Sequence, residues 1–500
     1  MEVLNPESLR YILGLKVRHY RQARGFGLKE LKDRSSLSIS YLSEIEKGRK
    51  YPKPDKLLLL AKALEVSFDD LVSLEMDDEL RPVRDLLESP FIREFPFHVY
   101  GVELHSVLSL LAEEPSKAGA MVRTALEIGR LYDLRVEHFL LAALRSYQYL
   151  RQNYFADIES AAEGFRGELG LAEGEIPTAE ALCRVLQEDH GYQVDSEELS
   201  QVEDLAHLRS VFRGGSPPRL WLNGRLRPSQ QAFMAGRELA YLRLGLGERS
   251  ETSPALEVTS FDQVIHDFEA AYFSGAVLLD RHSLEKDLAQ FFESRHWSPS
   301  DFLELLERYR TTPETFFYRL SQLLPARFGL RDLFFVRFNH RANTEERRLT
   351  KILDLSGLSI PYGLDEQEHY CRRWVGLESL DDSEGSALRA TIQRARFLVD
   401  ESEYLVFSLS RPLSLAPDVR SSVSLGLRLD PRLRRRLRFF QDSSIPRRDV
   451  HLTCERCPLP DCAERAAPPV LVEQQEVRER RAQALGQLLS GSSSEGHSKP

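Results

Sequence analysis

Residues 1–75 carry five short runs of apolar residues at helical spacing, each stopped by glycine, proline or serine before it can lengthen. Leu13, Val17 and Tyr20 stand at i, i+4, i+7 and give a first helix one apolar face, which Gly25 and Gly27 end. Leu28 and Leu31 carry a second helix to about Arg34, and Ser35, Ser36 and Leu37 form a turn. Ser38 is placed to cap a third helix in which Leu42 and Ile45 face inward and which Gly48 ends. Pro52 and Pro54 punctuate the next loop. Leu57, Leu60, Ala61 and Leu64 then make a fourth helix, and Phe68, Leu71 and Val72 a fifth. This pattern confines the start of the chain to a small helical module.

Charge singles out the same module. The chain is −10 overall, yet residues 1–74 hold 14 Lys and Arg against 10 Asp and Glu, a net +4, and the rest is −14. A small basic module on an acidic body predicts one polyanion-binding end and excludes a uniform coat of nucleic acid. With Leu42 and Ile45 committed inward, the third helix presents Ser40, Ser43, Glu44 and Lys47 outward at i, i+3, i+4, i+7. Small polar and charged groups on such a face can enter a major groove and read base edges. Lys29 opens the second helix, and Arg49, Lys50 and Lys53 follow the third, all suited to phosphate.

The segment LKELKDRSSLSISYLSEIEKGRKYPKPDKLLLLAKALEVSFDDLV resembles the Cro/C1-type (xenobiotic-response-element, XRE) helix-turn-helix family. The resemblance implies a lambda-repressor-like five-helix fold, with Ile39, Ser40, Ser43 and Glu44 in base-reading positions and Ser38 as helix cap. Ile39, where the family often has a polar residue, would meet a thymine methyl, and Glu44 would accept from a cytosine amino group. A module of this size implies a homodimer on two half-sites roughly 34 Å apart in double-stranded DNA.

The remainder is too long for one core, and the 500 residues predict three or four domains. At 42% hydrophobic and 29% charged the composition is globular. No apolar run approaches a membrane span, MEVLNPESLR lacks the apolar core of a secretory signal, and five cysteines make no disulfide scaffold. The expectation is a soluble, reduced, cytoplasmic protein with no membrane partner. Fold class reads as multidomain and mainly α: the module at 1–75, a helical connector or dimerisation region at 76–155, an α+β region at 156–330, a strand-rich α+β region at 331–470, and a charged helix with a disordered tail at 471–500.

Within 156–330, QQAFMAGRELAYLRLGLGE resembles the active helix of the ImmA/IrrE metallopeptidases, which carry His-Glu-x-x-His. Two histidines at i, i+4 share a face and hold zinc while the glutamate polarises water. The matching residues here are Arg237, Glu238, Leu239, Ala240 and Tyr241. By the resemblance the downstream FEAAYFSGAVLL supplies Glu269 as the acidic third ligand. With both histidines replaced, the residues predict a zincin-like scaffold without catalysis, in which Arg237 pairs with Glu269. An active metallopeptidase cleaving a repressor, or an antitoxin-type interaction protein that binds DNA for autoregulation, are the alternative readings.

Four of the five cysteines fall in the third region: Cys371, then Cys454, Cys457 and Cys462 as C-x2-C-x4-C. Such thiols suit zinc or an iron–sulfur cluster as cofactor, or form an idle cluster. Cys183, on an apolar helix, reads as core. The Cys371 segment and CERCPLPDCAERAAPP resemble the C-terminal domain of regulators of short-chain fatty-acid and acyl-CoA metabolism. That resemblance implies a small-molecule effector such as an acyl-CoA, with Arg432, Arg434, Arg435, Arg436 and Arg438 available to its phosphates. The whole predicts a DNA-binding transcription regulator with a sensing body.

Overall fold

The computed structural model describes residues 6–73, 97, 99–102, 124, 127, 136–362, 368–381 and 388–491. The chain divides into two compact units, Met1–Tyr147 with Val258–Val264, and Gln148–Glu257 with Ile265–Pro500.

In the first unit, five helices follow the punctuation of the sequence: α1 Pro6–Ala23, α2 Leu28–Ser35, α3 Ile39–Glu46, α4 Pro54–Ala63 and α5 Phe68–Val72. Leu13, Val17, Leu31, Leu42, Ile45, Leu57, Leu60, Leu64 and Leu71 close into one core. The local signals explain the boundaries. Ser36 takes a left-handed conformation that ends α2, Ser38 accepts from the Tyr41 backbone N–H to start α3, and Ser67 and Asp70 form a capping box on α5. Lys16 is fully buried on α1, and its ammonium donates to the carbonyls of Asp70 and Ser73 at 2.7 and 2.8 Å. A cation on the last carbonyls of α5 suits the negative end of the helix dipole. Most of the expected helical connector at 76–155 lies outside the described residues; its described end is a helix at Val136–Leu150.

The second unit holds two sheets. Strands β1 Gln193–Asp195, β2 Ser210–Arg213, β3 Arg219–Leu222 and β4 Thr252–Ser253 form a sheet ordered β1-β3-β2-β4, with β1 parallel to β3 and the other pairs antiparallel. Helices Ala156–Glu168, Ala179–Glu188, Pro228–Arg243, Phe261–Leu278, Arg281–Phe292, Pro299–Arg308 and Pro313–Phe328 accompany it in sequence. Strands β5 Leu333–Arg341, β6 Arg347–Asp354, β7 Arg389–Phe397, β8 Glu403–Pro412, β9 Val419–Arg428 and β10 Arg447–Val450 form a sheet ordered β10-β7-β8-β9-β5-β6. One face of the larger sheet collects Phe334, Phe338, Phe397 and Tyr404 around Trp374 and Cys371. Phe407 on β8 instead stacks with Phe302 and meets Trp297 and Phe439. Gly426 is required by close approach, because a Cβ there would lie 2.3 Å from the Phe334 ring. The charged helix expected after 470 runs Val470–Gly491, and the tail beyond it lies outside the described residues.

Candidate functional site

The outward face of α3 is built from beneath. Gly14 lets α1 approach so closely that a Cβ there would sit 2.4 Å from the Ile45 carbonyl oxygen. Arg21 on α1 grips Glu46 through two hydrogen bonds of 2.6 and 2.9 Å, largely shielded from solvent. A bidentate charged pair fixes orientation as well as distance. With Leu42 and Ile45 fully buried, Ile39, Ser40 and Lys47 are exposed, and Ser43 and Glu44 are half-exposed. Lys29, Arg49 and Lys50 are exposed as well. The chain turns back after α3, so that the Arg49 N–H donates to the Glu44 carbonyl at 2.9 Å and the Lys50 ammonium reaches the Glu44 carboxylate at 2.7 Å. That hydrogen bond, with the Lys50 charge, lowers the Glu44 carboxyl from its ordinary value and raises Lys50. Sequence reasoning missed this pair, the Arg21–Glu46 clamp, and Tyr51, an aromatic ring 47% exposed beside Lys50.

At the protease-like helix, the replacements are stitched together. Glu238 is buried and accepts two hydrogen bonds of 2.6 Å from Arg249 and one of 2.8 Å from the Tyr192 hydroxyl. The Arg249 guanidinium lies 3.6 Å from the Phe212 ring centre and 4.0 Å from that of Tyr241. Arg237 donates to Ser253 at 2.9 Å and to Asp267 at 3.1 Å, and the Tyr241 hydroxyl donates to the same Asp267 carboxylate. Burial first, with that carboxylate adding, drives the Tyr241 phenol far above its ordinary range. The expected Arg237–Glu269 pair is therefore corrected to Arg237–Asp267. Asp267, Ala270 and Ser274, at i, i+3, i+7, share one helix face; Ser274 meets Gly236, where a Cβ would lie 2.5 Å from its Oγ, and position 269 points elsewhere. Glu269 keeps a raised carboxyl, chiefly from burial.

The cysteines of the third region gather. The bridge between Tyr370 and Thr453 and the hydrogen bond from the Cys454 N–H to the His369 carbonyl lay the two segments side by side. Glu368 ties them further, accepting from Thr453 at 2.6 Å and from Arg456 at 2.7 Å. Cys371, Cys454 and Cys457 are buried, Cys462 is half-buried, and the Ala466 N–H points at the Cys454 sulfur at 3.4 Å. Burial pushes the Cys371 thiol up to about 11, with Cys454 and Cys457 close enough to add to it. Among the described residues no three His, Cys, Asp or Glu side chains stand in ligating geometry. Cys183 is half-buried on its helix, its thiol pushed up to about 11 by burial. In the arginine run, Arg434 approaches Glu403, Arg438 pairs with Glu293, and Arg436 lies over the Phe328 ring.

Comparison with known proteins matches these parts. A helix-turn-helix family model covers residues 17–71, and an IrrE N-terminal-like domain model covers residues 187–321. The HTH-type transcriptional regulator RamB of Mycobacterium tuberculosis is 26% identical over 353 residues, 67% of this chain and 70% of that protein. The propionyl-CoA carboxylase regulator of Cereibacter sphaeroides is 25% identical over 362 residues, 67% of this chain and 70% of that protein. An HTH-type transcriptional regulator of Sinorhizobium fredii, y4dJ, is 37% identical over 66 residues, 13% of this chain and 86% of that protein. No helix among the described residues is long and apolar enough to cross a membrane. The fold of α1–α5, its basic outward face and these relatives agree: the chain belongs to the helix-turn-helix family of DNA-binding transcription regulators and joins that module to an IrrE-like domain.

Proposed function

We propose that the chain acts in the cytoplasm as a sequence-specific homodimer that lays α3 in the major groove of each half-site, and that its body receives a signal without performing catalysis. The observation that carries the reading is the α3 surface itself: Ile39, Ser40, Ser43 and Glu44 project from a helix whose other side is locked into the core. Ser40 and Ser43 are short donors and acceptors for base edges, Ile39 fits a thymine methyl, and Lys29, Lys47 and Arg49 meet phosphate. Selection of bound sequences from random duplexes with the full chain tests this. An inverted repeat with half-sites about one helical turn apart is expected; equal, salt-sensitive retention of every duplex overturns it.

The absence of catalysis is supported by donor chemistry. Arg237 puts a fixed positive charge where a metal cation would sit, and Arg249 neutralises the only glutamate left in the motif. A peptide-cleavage assay with and without chelator checks it, and chelator-sensitive cleavage refutes it. For the signal, Cys371, Cys454 and Cys457, with Cys462 as the fourth thiol, would hold zinc or an iron–sulfur cluster only by shifting into a ligating geometry they do not have here; such a group supplies folding energy or a redox response when bound. The relative named as a propionyl-CoA carboxylase regulator favours an acyl-CoA effector. Arg432, Arg435 and Arg436 are exposed and remain available to its phosphates.

A further inference from the structure

A cavity of about 180 Å³ lies in the second unit, where helices Pro228–Arg243 and Pro313–Phe328 meet strands β6, β8 and β9. It is separate from the protease-like residues Arg237, Glu238 and Tyr241 and from the cysteines, none of which lines it. Its charge does not balance. Arg209, Arg319, Lys351 and Arg411 line it against a single carboxylate, Glu314. Arg319 is neutralised by Glu159. Glu314 is already held twice, by Arg337 at 2.7 Å and by Lys351 at 3.2 Å. The guanidinium groups of Arg209 and Arg411 have no hydrogen-bond or ion-pair partner among the described residues; each lies within electrostatic range of Glu314 and of like charges, Arg337 and Arg237 for the first and Arg227 for the second. Burial, then Arg227, brings the Arg411 guanidinium down to about 10.

Setting aside the Arg319–Glu159 pair, Arg209, Arg337, Lys351 and Arg411 leave three positive charges beyond what Glu314 offsets. Arg209 and Arg411 are half-buried, and like charges gathered around one recess repel unless an anion offsets them, so a fold that retains them has a use for the field they create. The same walls carry Phe233, Leu409 and Val423. A cavity of roughly 150 Å³ takes a benzene-sized body, so this one takes about six to eight heavy atoms, too few for a nucleotide-bearing cofactor. We propose that this cavity binds a small dianionic metabolite, a dicarboxylate or phosphate ester of a few carbons, whose charges meet Arg209 and Arg411 and whose carbon body lies against Phe233, Leu409 and Val423. The inference is independent of how α3 meets DNA and of any acyl-CoA effect. An occupant touches both the IrrE-like helices and the larger sheet, and so joins the two parts of this unit.

The test is calorimetric titration and thermal melting of the full chain with malonate, succinate and ethyl phosphate, with propionate and acetyl-CoA as comparators. Saturable binding of at least one dianion is expected, and the tighter class identifies the head group. Arg209→Gln and Arg411→Gln should each weaken it at least about ten-fold, while Arg411→Lys keeps it within a few-fold. The two glutamine variants should also melt higher than the parent without ligand, because each removes an uncompensated cation; an arginine serving structure alone would lower the melting temperature. The proposal is overturned if no dianion binds, if only acetyl-CoA binds, or if both glutamine variants bind as the parent does.

Discussion

Glu44, on the outward face of α3, is bridged at 2.7 Å by Lys50 from the loop that follows the helix. The pair does two things at a surface meant for DNA. It cancels a carboxylate that would otherwise repel phosphate, and it diverts a lysine that would otherwise contact one. Replacing the carboxylate by a neutral amide, Glu44→Gln, releases Lys50 and removes one negative charge. Non-specific affinity should rise several-fold, and the slope of log affinity against log salt should steepen by about one. Discrimination at the base pair facing position 44 should fall. Salt titrations on an operator and on a scrambled duplex measure both; an unchanged slope would show that Lys50 never reaches the backbone.

Deep in the second unit, Arg319 and Glu159 are paired across 160 positions of sequence at 1% and 2% exposure, with the Tyr272 hydroxyl and Gln322 completing the cluster. Removing one partner leaves the other charge buried, so Glu159→Gln should cost about 3–5 kcal/mol in chemical denaturation, while the double change to Leu and Met should cost much less. Burial opposes the Glu159 charge, but Arg319 and Tyr272 outweigh it and the carboxyl falls below its ordinary 4.5. A depressed folded value means that the contribution is complete above about pH 4.5 and is lost as pH falls through the folded value. Acid unfolding of the Gln variant should accordingly lose part of its dependence in that window, and a parallel pH profile would contradict the assignment.

What could be read from the sequence was local. Each boundary of α1–α5 is set by groups a few residues apart, such as Ser38 and the Tyr41 N–H or Ser67 and Asp70, and every inward residue named from spacing lies in or against one core. Strands β5, β8 and β9 were legible because both faces are largely buried, and β7 because buried residues alternate along it with part-exposed arginines. Strand β6 reads RRLTKILD, an edge strand carrying charge, and β10 has four residues paired to β7 in parallel, so neither has a strong pattern of its own. The residues at 237–241 named themselves, but their partners did not. Whether position 267 or 269 faces Arg237 depends on the rotation of one helix against another, which spacing alone leaves open. The cavity was invisible for the same reason, since Arg209, Lys351 and Arg411 come together only in the folded unit.

The stitched protease-like helix makes a prediction about its own chemistry. Arg237 and Tyr241, which stand at the two histidine positions of the motif, converge on Asp267. Arg237→His with Tyr241→His recreates two imidazoles at i, i+4 facing that carboxylate, and the doubly changed chain should bind one zinc at this helix, removable by chelator. Hydrolysis should still fail, because Arg249 keeps both Glu238 oxygens occupied; adding Arg249→Ala is the step expected to give measurable cleavage. Zinc uptake by the parent at this helix, sensitive to Glu238→Gln, would overturn the reading of Arg237 as a metal substitute.

The thiols offer the last check, through their order of reaction. Burial holds Cys371 up to about 11 and also raises Cys457, so at pH 8 both remain protonated and slow toward an alkylating reagent. Cys462 is half-buried beside Glu464 and should be labelled before the other three of its cluster. Zinc or an iron–sulfur cluster takes its ligands as thiolates, so loading should release protons and protect Cys462 together with its buried neighbours. Mass spectrometry of chain alkylated before and after metal loading, run beside Cys454→Ser, separates the two cases. Protection of Cys462 that disappears in the serine variant, along with the bound metal, is the expected result. Equal labelling of Cys462 in loaded and unloaded chain, with the same metal content in the variant, would leave the cluster as packed thiols, Cys371 among them in the core around Trp374, and nothing more.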